Sequence, residues 1–469
     1  MNLTIAEIAK AVKGEIYNNF GENIIIKKIT TDSRQIFPEC LFYAIKGERA
    51  DGHDFVLKAI EDGAMGAVVQ KSRVNNIALQ AEKICLIAVD DTVQALLDTA
   101  KYHKNQCKEL ALTVAVTGSV GKTTTKEFMY FVLSAKFKTQ KSEANHNTEI
   151  GMPFTLCNLE NDTKAIVLEM GMTGFGQIKQ LSETANPNTA VITNIGTSHI
   201  ENLGSRDGIK KAKFEILDGM DLNSNIILNA DEPLLYCEKN KTGRKEYFFG
   251  IKNKKADFVA ENIEFDYIKN ISSFDVNNFK FIIPVAGIHN IYDALPALAA
   301  GKIYGFSDDE IQAGFNNFES VKMRQNIYNL NDITIIDDCY NASLESVLAA
   351  FEVLEGIAAK TNGRKIAVLA DILEAGEYSE KIQTDIGIAA VEKNISLYLF
   401  GEKSKATFEA VVKNGGENYD CAYIDDKSAI AQILFSEIKK GDVILFKASR
   451  GMTMETVTEE FKKLYLQKD

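Results

Sequence analysis

Residues 118–125 read Gly-Ser-Val-Gly-Lys-Thr-Thr-Thr; they follow the apolar run "LTVAVT" and lead into a helical pattern. Glycines in a tight turn let backbone N–H groups point inward, and a helix N-terminus adds partial positive charge. Strand, turn and helix together therefore describe a phosphate cradle built from Gly118, Ser119, Gly121, Lys122, Thr123 and Thr124. Lys122 would neutralise β/γ-phosphate charge, and the Thr123 hydroxyl would complete the coordination of Mg²⁺. The eight-residue form of this pattern needs glycine where Val116 stands, so only its second half is matched. The plain alternative is a strand–helix turn capped by Ser119 or Thr117. Gly-Lys-Thr-Thr directly after a buried strand favours ATP binding.

Other strand ends narrow what ATP is used for. Glu169 closes the apolar run "AIVLE" and could hold Mg²⁺ opposite Thr123. His199 follows a third apolar run, within "NIGTSHIENLGS". A lone histidine is more often structural, but its place after a strand of the ATP-binding block favours a ligand role. In "GIKKAKFEILDGM", helical spacing puts Ile209, Lys213, Ile216 and Met220 on one stripe and Lys211 on a polar one. An inward lysine tends to lose its proton and become nucleophilic. The bland reading is a snorkelling surface lysine.

These residues need a scaffold, and the chain is long enough to supply several. At 469 residues it implies about two to four domains. A 45% apolar and 25% charged composition is that of a globular protein, and no run reaches the length of a membrane span. The N-terminus "MNLTIAEIAKAVKGEI" has apolar and charged residues at helical spacing and lacks a signal-peptide pattern, which points to the cytoplasm. A net charge of −12 argues against nucleic acid as a general partner. The seven cysteines are scattered and never spaced as CxxC, as expected of reduced core fillers.

Three α/β blocks are expected: 1–90, 91–318 and 319–469. The first mixes "LFYAIKG", "GAVVQ" and "ICLIAVD" with helical stretches, and the helix "DTVQALLDTAKYHKNQ" leads out of it. The second alternates "LTVAVTG", "AIVLEMG", "AVITNIG" and "NIILNAD" with helices, the signature of a parallel sheet. Ligands of such sheets sit at the carboxyl ends of the strands. After the alanine-rich helix "GIHNIYDALPALAAGKIYG", the third alternates "ITIIDD", "KIAVLAD", "LYLFG", "CAYID" and "DVILFKAS" with helices, a Rossmann-type pattern without GxGxxG.

Eleven stretches in order carry a resemblance. They are "TTDSR" (30–34), "LFYAIKGERADGHDFVLKAIEDGA" (41–64), "TGSVGKTTTKE" (117–127), "NHNTEIGMPFTL" (145–156), "LEMGM" (168–172) and "NIGTSHIENLGS" (194–205). "AKFEIL" (212–217), "GIHNIYDALPAL" (287–298), "IIDDCYNAS" (335–343), "ILEAGEYSE" (372–380) and "KASRGMTMETV" (447–457) complete the set. With these the chain resembles the Mur ligase family of peptidoglycan synthesis, and most of all its dipeptide-adding members.

The resemblance implies a small N-terminal domain gripping a UDP-sugar peptide, a central P-loop-type ATPase and a C-terminal Rossmann-like lid. It implies an ATP-dependent, ADP-forming amide ligase that joins D-alanyl-D-alanine to UDP-N-acetylmuramoyl-tripeptide through an acyl phosphate. By the same resemblance Lys122 binds the β/γ-phosphates, Thr123 and Glu169 the first Mg²⁺, and His199 the second. Lys213 matches a lysine that becomes a metal-facing carbamate, Asn290 an adenine contact, and Arg324 and Asp338 the pair closing on the nucleotide. Ser33, Arg34, Arg49, Asp51, His53, Asn147, Tyr340 and Asn341 fall in the substrate-binding motifs. For the first five, turn-capping or surface roles remain open. The enzyme is expected to act as a monomer, without nucleic acid or membrane insertion.

The chain departs from the family pattern with Ser343-Leu344 in place of Asn-Pro, with Thr148 and Asp293 in place of asparagines, and with Gln383 and Ala448. None of these removes a metal or phosphate ligand. The competing readings are a ligase adding a third-position diamino acid to UDP-N-acetylmuramoyl-dipeptide, a folate polyglutamate synthase, and a nucleotide-gated scaffold without catalysis. The second lacks a "TDSR…DGHDF" block, and the third should carry a damaged Lys122, Glu169, His199 or Lys213.

Overall fold

The apolar runs become strands almost where the sequence places them, and the chain gathers them into two compact units. In the computed structural model the described residues are 1–18, 21–79, 85–143 and 146–467. The first unit comprises 1–117, 137–190 and 215–225, and the second 118–136, 191–214 and 226–469.

In the first unit, strands β1 (Glu15–Tyr17), β2 (Lys28–Thr30), β3 (Cys40–Tyr43), β4 (Gly66–Gln70) and β5 (Cys85–Val89) form a sheet in the order β1-β5-β4-β3-β2. Every pair is parallel except β1–β5. β3 and β5 are buried at every position, which is why they read as unbroken apolar runs. Helix α1 (Thr92–Gln106) starts where the Asp91 carboxylate accepts the Val93 and Gln94 N–H groups, at 2.7 and 3.1 Å. The expected N-terminal helix reaches only from Ile5 to Ala11, because Lys13 takes a φ of 53° and the chain then turns into β1. Three further parallel strands, β6 (Leu112–Thr117), β7 (Thr139–Lys141) and β8 (Ala165–Glu169), run in the order β6-β8-β7. Their register sets Glu169 beside Val116, two residues before Gly118.

The second unit holds helix α2 (Lys122–Ser134), which begins straight after the glycine turn. Strands β9 (Thr189–Ile192, its last two residues in this unit), β10 (Asn225–Asn229), β11 (Lys245–Gly250) and β12 (Phe258–Val259) follow in the order β12-β11-β10-β9. Helix α3 (Arg206–Phe214) carries Lys213. It ends at Phe214, short of the stripe's last two members, yet Ile209, Lys213, Ile216 and Met220 are all buried and Lys211 is exposed.

One element was not expected from the sequence. β13 (Glu261–Asp266), β14 (Ile271–Val276) and β15 (Phe279–Ile283) form an antiparallel meander. Val276 pairs with Phe279 across Asn277-Asn278, both at positive φ. A two-residue turn of that hand suits asparagine, and Ser272, Phe274 and Val276 alternate inward. Helix α4 (Ile288–Ile303), buried on nearly all sides, and α5 (Asp308–Asn316), with a Ser307–Glu310 capping box, complete this part.

The last sheet runs β16-β17-β21-β18-β19-β20, with β16 (Asn326–Leu330), β17 (Ile333–Asp337), β18 (Lys365–Ala370), β19 (Ser396–Phe400), β20 (Cys421–Tyr423) and β21 (Val443–Lys447). The edge strand β16 is antiparallel, which the sequence reading did not anticipate; the remaining pairs are parallel. Alternate residues supply two cores. Ile336, Leu369, Leu399 and Leu445 face one, with helix α6 (Leu344–Thr361), and Ile335, Val368, Tyr398 and Phe446 face the other. No helix among the described residues is long and apolar enough to cross a membrane.

Candidate active site

In the second unit the glycine turn takes the shape its sequence implies. Gly121 is the N-cap of α2 at φ 80°, a left-handed conformation that glycine adopts freely. A Cβ at that position would lie 2.1 Å from Asp293 Oδ1, so a larger residue is excluded by fit as well. Lys122 Nζ donates to the carbonyls of Gly118 and Ser119, at 2.8 and 3.2 Å. Thr123 is buried in the first helical turn and Thr124 half-buried beside it. The loop after β9 braces the turn. Asn194 accepts the Val120 N–H at 3.0 Å, and Ser119 Oγ accepts the Gly196 N–H at 2.9 Å.

Arg324 Nη2 donates to Thr123 Oγ1 at 3.1 Å, and its guanidinium lies 4.1 Å over the Tyr340 ring. Its Nε is buried without a hydrogen-bond partner among the described residues. An orphaned cationic donor beside a helix N-terminus fits an anionic ligand such as a phosphate chain. Asn290 donates to Ala286 O at 2.9 Å and to Gln325 Oε1 at 3.2 Å. Gln325 N–H donates to Asp338 Oδ1 at 3.2 Å, and buried Lys447 ion-pairs with the other Asp338 oxygen while donating to Asn341 O at 3.1 Å.

Lys213 is 2% exposed, and burial, reinforced by the positive charge of Lys122, pushes its ammonium well below the usual lysine range. This settles the choice left open by spacing: the side chain points inward. His199 has a φ of 60°, and its Nδ1 lies 2.7 Å from Glu374 Oε2. That ring holds the Glu374 carboxyl below its ordinary range.

Glu169 belongs to the first unit. It is 3% exposed, accepts the Asn147 amide at 2.9 Å, and its N–H donates to Ser142 Oγ. Asn145, which opens the same motif as Asn147, lies outside the described residues. Asp51 and His53 come together: Asp51 Oδ1 takes the His53 N–H at 3.0 Å and Nδ1 at 2.6 Å, and His53 Nε2 accepts the Gln70 N–H at 3.0 Å. Both ring nitrogens are thus used inside the domain, and the buried imidazole staples its loop to β4. Arg34 forks onto Asp32 at 2.9 Å through two nitrogens, whereas Ser33 and Arg49 make no hydrogen bond or ion pair with described residues.

For a divalent cation, each unit offers a hard oxygen of a type that suits Mg²⁺, the Thr123 hydroxyl in the second and the Glu169 carboxylate in the first. No three His, Cys, Asp or Glu side chains cluster among the described residues. Sequence reasoning missed Gln325, Lys447, Glu345 and Glu374. Lys447 carried a readable signal, since it is a lysine closing an otherwise apolar strand.

Asp293, one of the departures named above from the pattern that the resemblance implies, needs its own account. It is 7% exposed under the turn, 3.5 Å from Thr125 Oγ1. Burial holds its carboxyl well above the ordinary aspartate range, and the charge of Arg324 offsets this only in part. The folded chain therefore holds this proton at pH values where the unfolded chain has lost it. Stability must fall as pH rises above about 3.8, until the folded group also ionises. Asp293→Asn removes that penalty. Its melting temperature should exceed the parent's, by a margin that grows from pH 4 to pH 8 in parallel thermal scans.

Known proteins share this chain's sequence and fold. Residues 25–104 match the Mur ligase family catalytic domain, 116–301 the Mur ligase middle domain, and 323–450 the Mur ligase glutamate ligase domain. The chain is 35% identical to the UDP-N-acetylmuramoyl-tripeptide–D-alanyl-D-alanine ligase of Bacillus subtilis (strain 168), covering 97% of this chain and 98% of that one. Identity to the enzyme of the same name from Escherichia coli (strain K12) is 33%, covering 99% of each. Among solved structures, MurF from Acinetobacter baumannii superposes with a TM-score of 0.89 at 28% identity, over 99% of both chains. MurF ligase from Thermotoga maritima in complex with ADP gives 0.80 at 27% identity, over 94% of this chain and 98% of that one.

Proposed function

The chain belongs to the Mur ligase family, and from that premise we propose that it joins D-alanyl-D-alanine to UDP-N-acetylmuramoyl-tripeptide while ATP is converted to ADP and phosphate. A carboxylate is a poor acyl donor, because oxide would have to leave. Transfer of the γ-phosphoryl group onto the tripeptide's terminal carboxylate gives an acyl phosphate whose phosphate leaves readily. The dipeptide's amine then attacks the acyl carbon, and the tetrahedral adduct expels phosphate to leave an amide.

Each residue has a task in this scheme. Lys122 and the N–H groups opening α2 hold the β/γ-phosphates. Arg324, with its unpartnered Nε, neutralises further phosphate charge. Asn290 and Asp338, tied together through Gln325, face the nucleoside. Thr123 and Glu169 would hold Mg²⁺, and His199 with Lys213 a second ion; Lys213 would serve as a carbamate. Bound there, the cations would offset repulsion between the carboxylate and the γ-phosphate. Ser33, Arg34, Arg49, Asn147, Tyr340 and Asn341 are assigned to the UDP-peptide and dipeptide sides. Asp51 and His53 shape that loop. The three matched segments support domains at 1–90, 91–318 and 319–469. The same proposal takes the enzyme to be a cytoplasmic monomer.

The observation that carries the reading is the pairing of a Gly-Lys-Thr turn on a helix N-terminus with a buried lysine that is a poor ammonium. In a phosphate-release assay with ATP and Mg²⁺, release should require both UDP-tripeptide and D-alanyl-D-alanine, and omission of either should return it to background. Equal turnover of UDP-dipeptide with a free diamino acid would sink the assignment.

A further inference from the structure

Thr197 and His199 share the loop that follows β9, and that loop is gripped from the start of α6. Glu345 Oε1 accepts the Thr197 N–H at 3.0 Å, and the Thr197 hydroxyl lies 3.1 and 3.2 Å from its two oxygens. A Cβ on Gly196 would lie 2.8 Å from Glu345 Oε1 and 3.2 Å from Ser119 Cβ. Glycine is thus what lets the carboxylate and the phosphate turn approach the loop from two sides. The Gly196 N–H, in turn, donates to Ser119 Oγ. A continuous path therefore runs from α6 through Thr197 and Gly196 to the glycine turn.

The loop needs such a brace. His199 sits at φ 60°, a region that a non-glycine residue occupies only where its surroundings over-determine the backbone. Glu345 is itself well placed to supply it. Ser343 caps α6 by accepting the Ser346 N–H, so the change from Asn-Pro to Ser-Leu keeps the helix start. Glu345 then lies in the first turn, where the helix dipole favours a carboxylate.

We propose that Glu345 is a positioning residue for the nucleotide site: through Thr197 and Gly196 it holds the His199 loop and the Ser119 turn in their working geometry. This rests on the functional reading above, and the test separates the two. The full chain and its Glu345→Ala, Glu345→Gln and Thr197→Val variants are compared by phosphate release and by amide hydrogen exchange over 194–199. The alanine variant should lose about 10- to 100-fold in kcat, the range seen when outer-shell partners are removed, with KM for the peptide substrates little changed. Its Thr197 amide should exchange faster. Glutamine, whose oxygen still accepts both Thr197 donors, should restore most of the rate and the protection. Adding Thr197→Val to Glu345→Ala should cost little more, since both act through one contact. Alanine kcat within about twofold of the parent, glutamine as impaired as alanine, or faster exchange throughout the β16–β21 sheet would each overturn the proposal. If the parent releases no phosphate with these substrates, the functional reading falls. Thr197 exchange and Mg·ADP affinity, expected about tenfold weaker in the alanine variant, then decide this one.

Discussion

Lys122→Ala will abolish phosphate release, lowering turnover by roughly 10³-fold or more at saturating ATP. Lys122 is the first residue of α2, and its Nζ reaches back over the turn to the Gly118 and Ser119 carbonyls. That places a positive charge on the concave side of the loop, where phosphate oxygens would gather. Phosphoryl transfer offers the protein little covalent work, so electrostatic stabilisation of the equatorial oxygens carries most of the rate. Each tenfold corresponds to about 1.4 kcal/mol of barrier, and 10³ is what one fully engaged cation in a water-poor site can supply. Alanine is the best helix former, so α2 should survive. Circular dichroism and melting temperature should stay near the parent's while phosphate release vanishes. A variant retaining a tenth of parental turnover would remove Lys122 from the transition state.

Lys213→Arg will be as inactive as Lys213→Ala, with both at least about 10³-fold below the parent. The comparison discriminates because the two replacements differ in charge. If Lys213 worked as a cation, arginine would preserve much of the activity. The environment argues otherwise: the side chain is buried, and the charge of Lys122 further disfavours its ammonium. A neutral amine can add to CO₂ and lose a proton to give a carbamate anion, an oxygen donor suited to a hard cation; a guanidinium, always protonated, cannot. A second readout stands apart from turnover. Protein equilibrated with ¹³C-bicarbonate should show a carbamate carbon resonance that both variants lack. Retention of a tenth of the activity by arginine, or an identical resonance in the alanine variant, would exclude the carbamate.

The placement of several candidate residues was legible in the sequence because they sit where secondary structure changes. Gly121, Lys122, Glu169 and Asp338 each lie within two residues of the end of a buried strand or the start of a helix, and apolar runs of four to six residues mark those ends. The inward turn of Lys213 was legible as periodicity, even though α3 stops at Phe214. The meander of β13–β15 was overlooked because its alternation is interrupted by charged residues. Its Asn277-Asn278 turn was the signal available.

What the chain alone determined is the order of strands and helices, the glycine turn and the identity of the chemical groups, because backbone sterics and hydrophobic periodicity act over a few residues. What folding decided are the pairings between distant positions. Glu345 meets Thr197 across 148 residues, Arg324 meets Thr123 across 201, and Lys447 meets Asp338 across 109. No local propensity encodes such contacts. They arise when cores on both faces of a sheet lock the strands in register, and only then does burial, with the charge of Lys122, depress Lys213, and burial against the opposing charge of Arg324 raise Asp293.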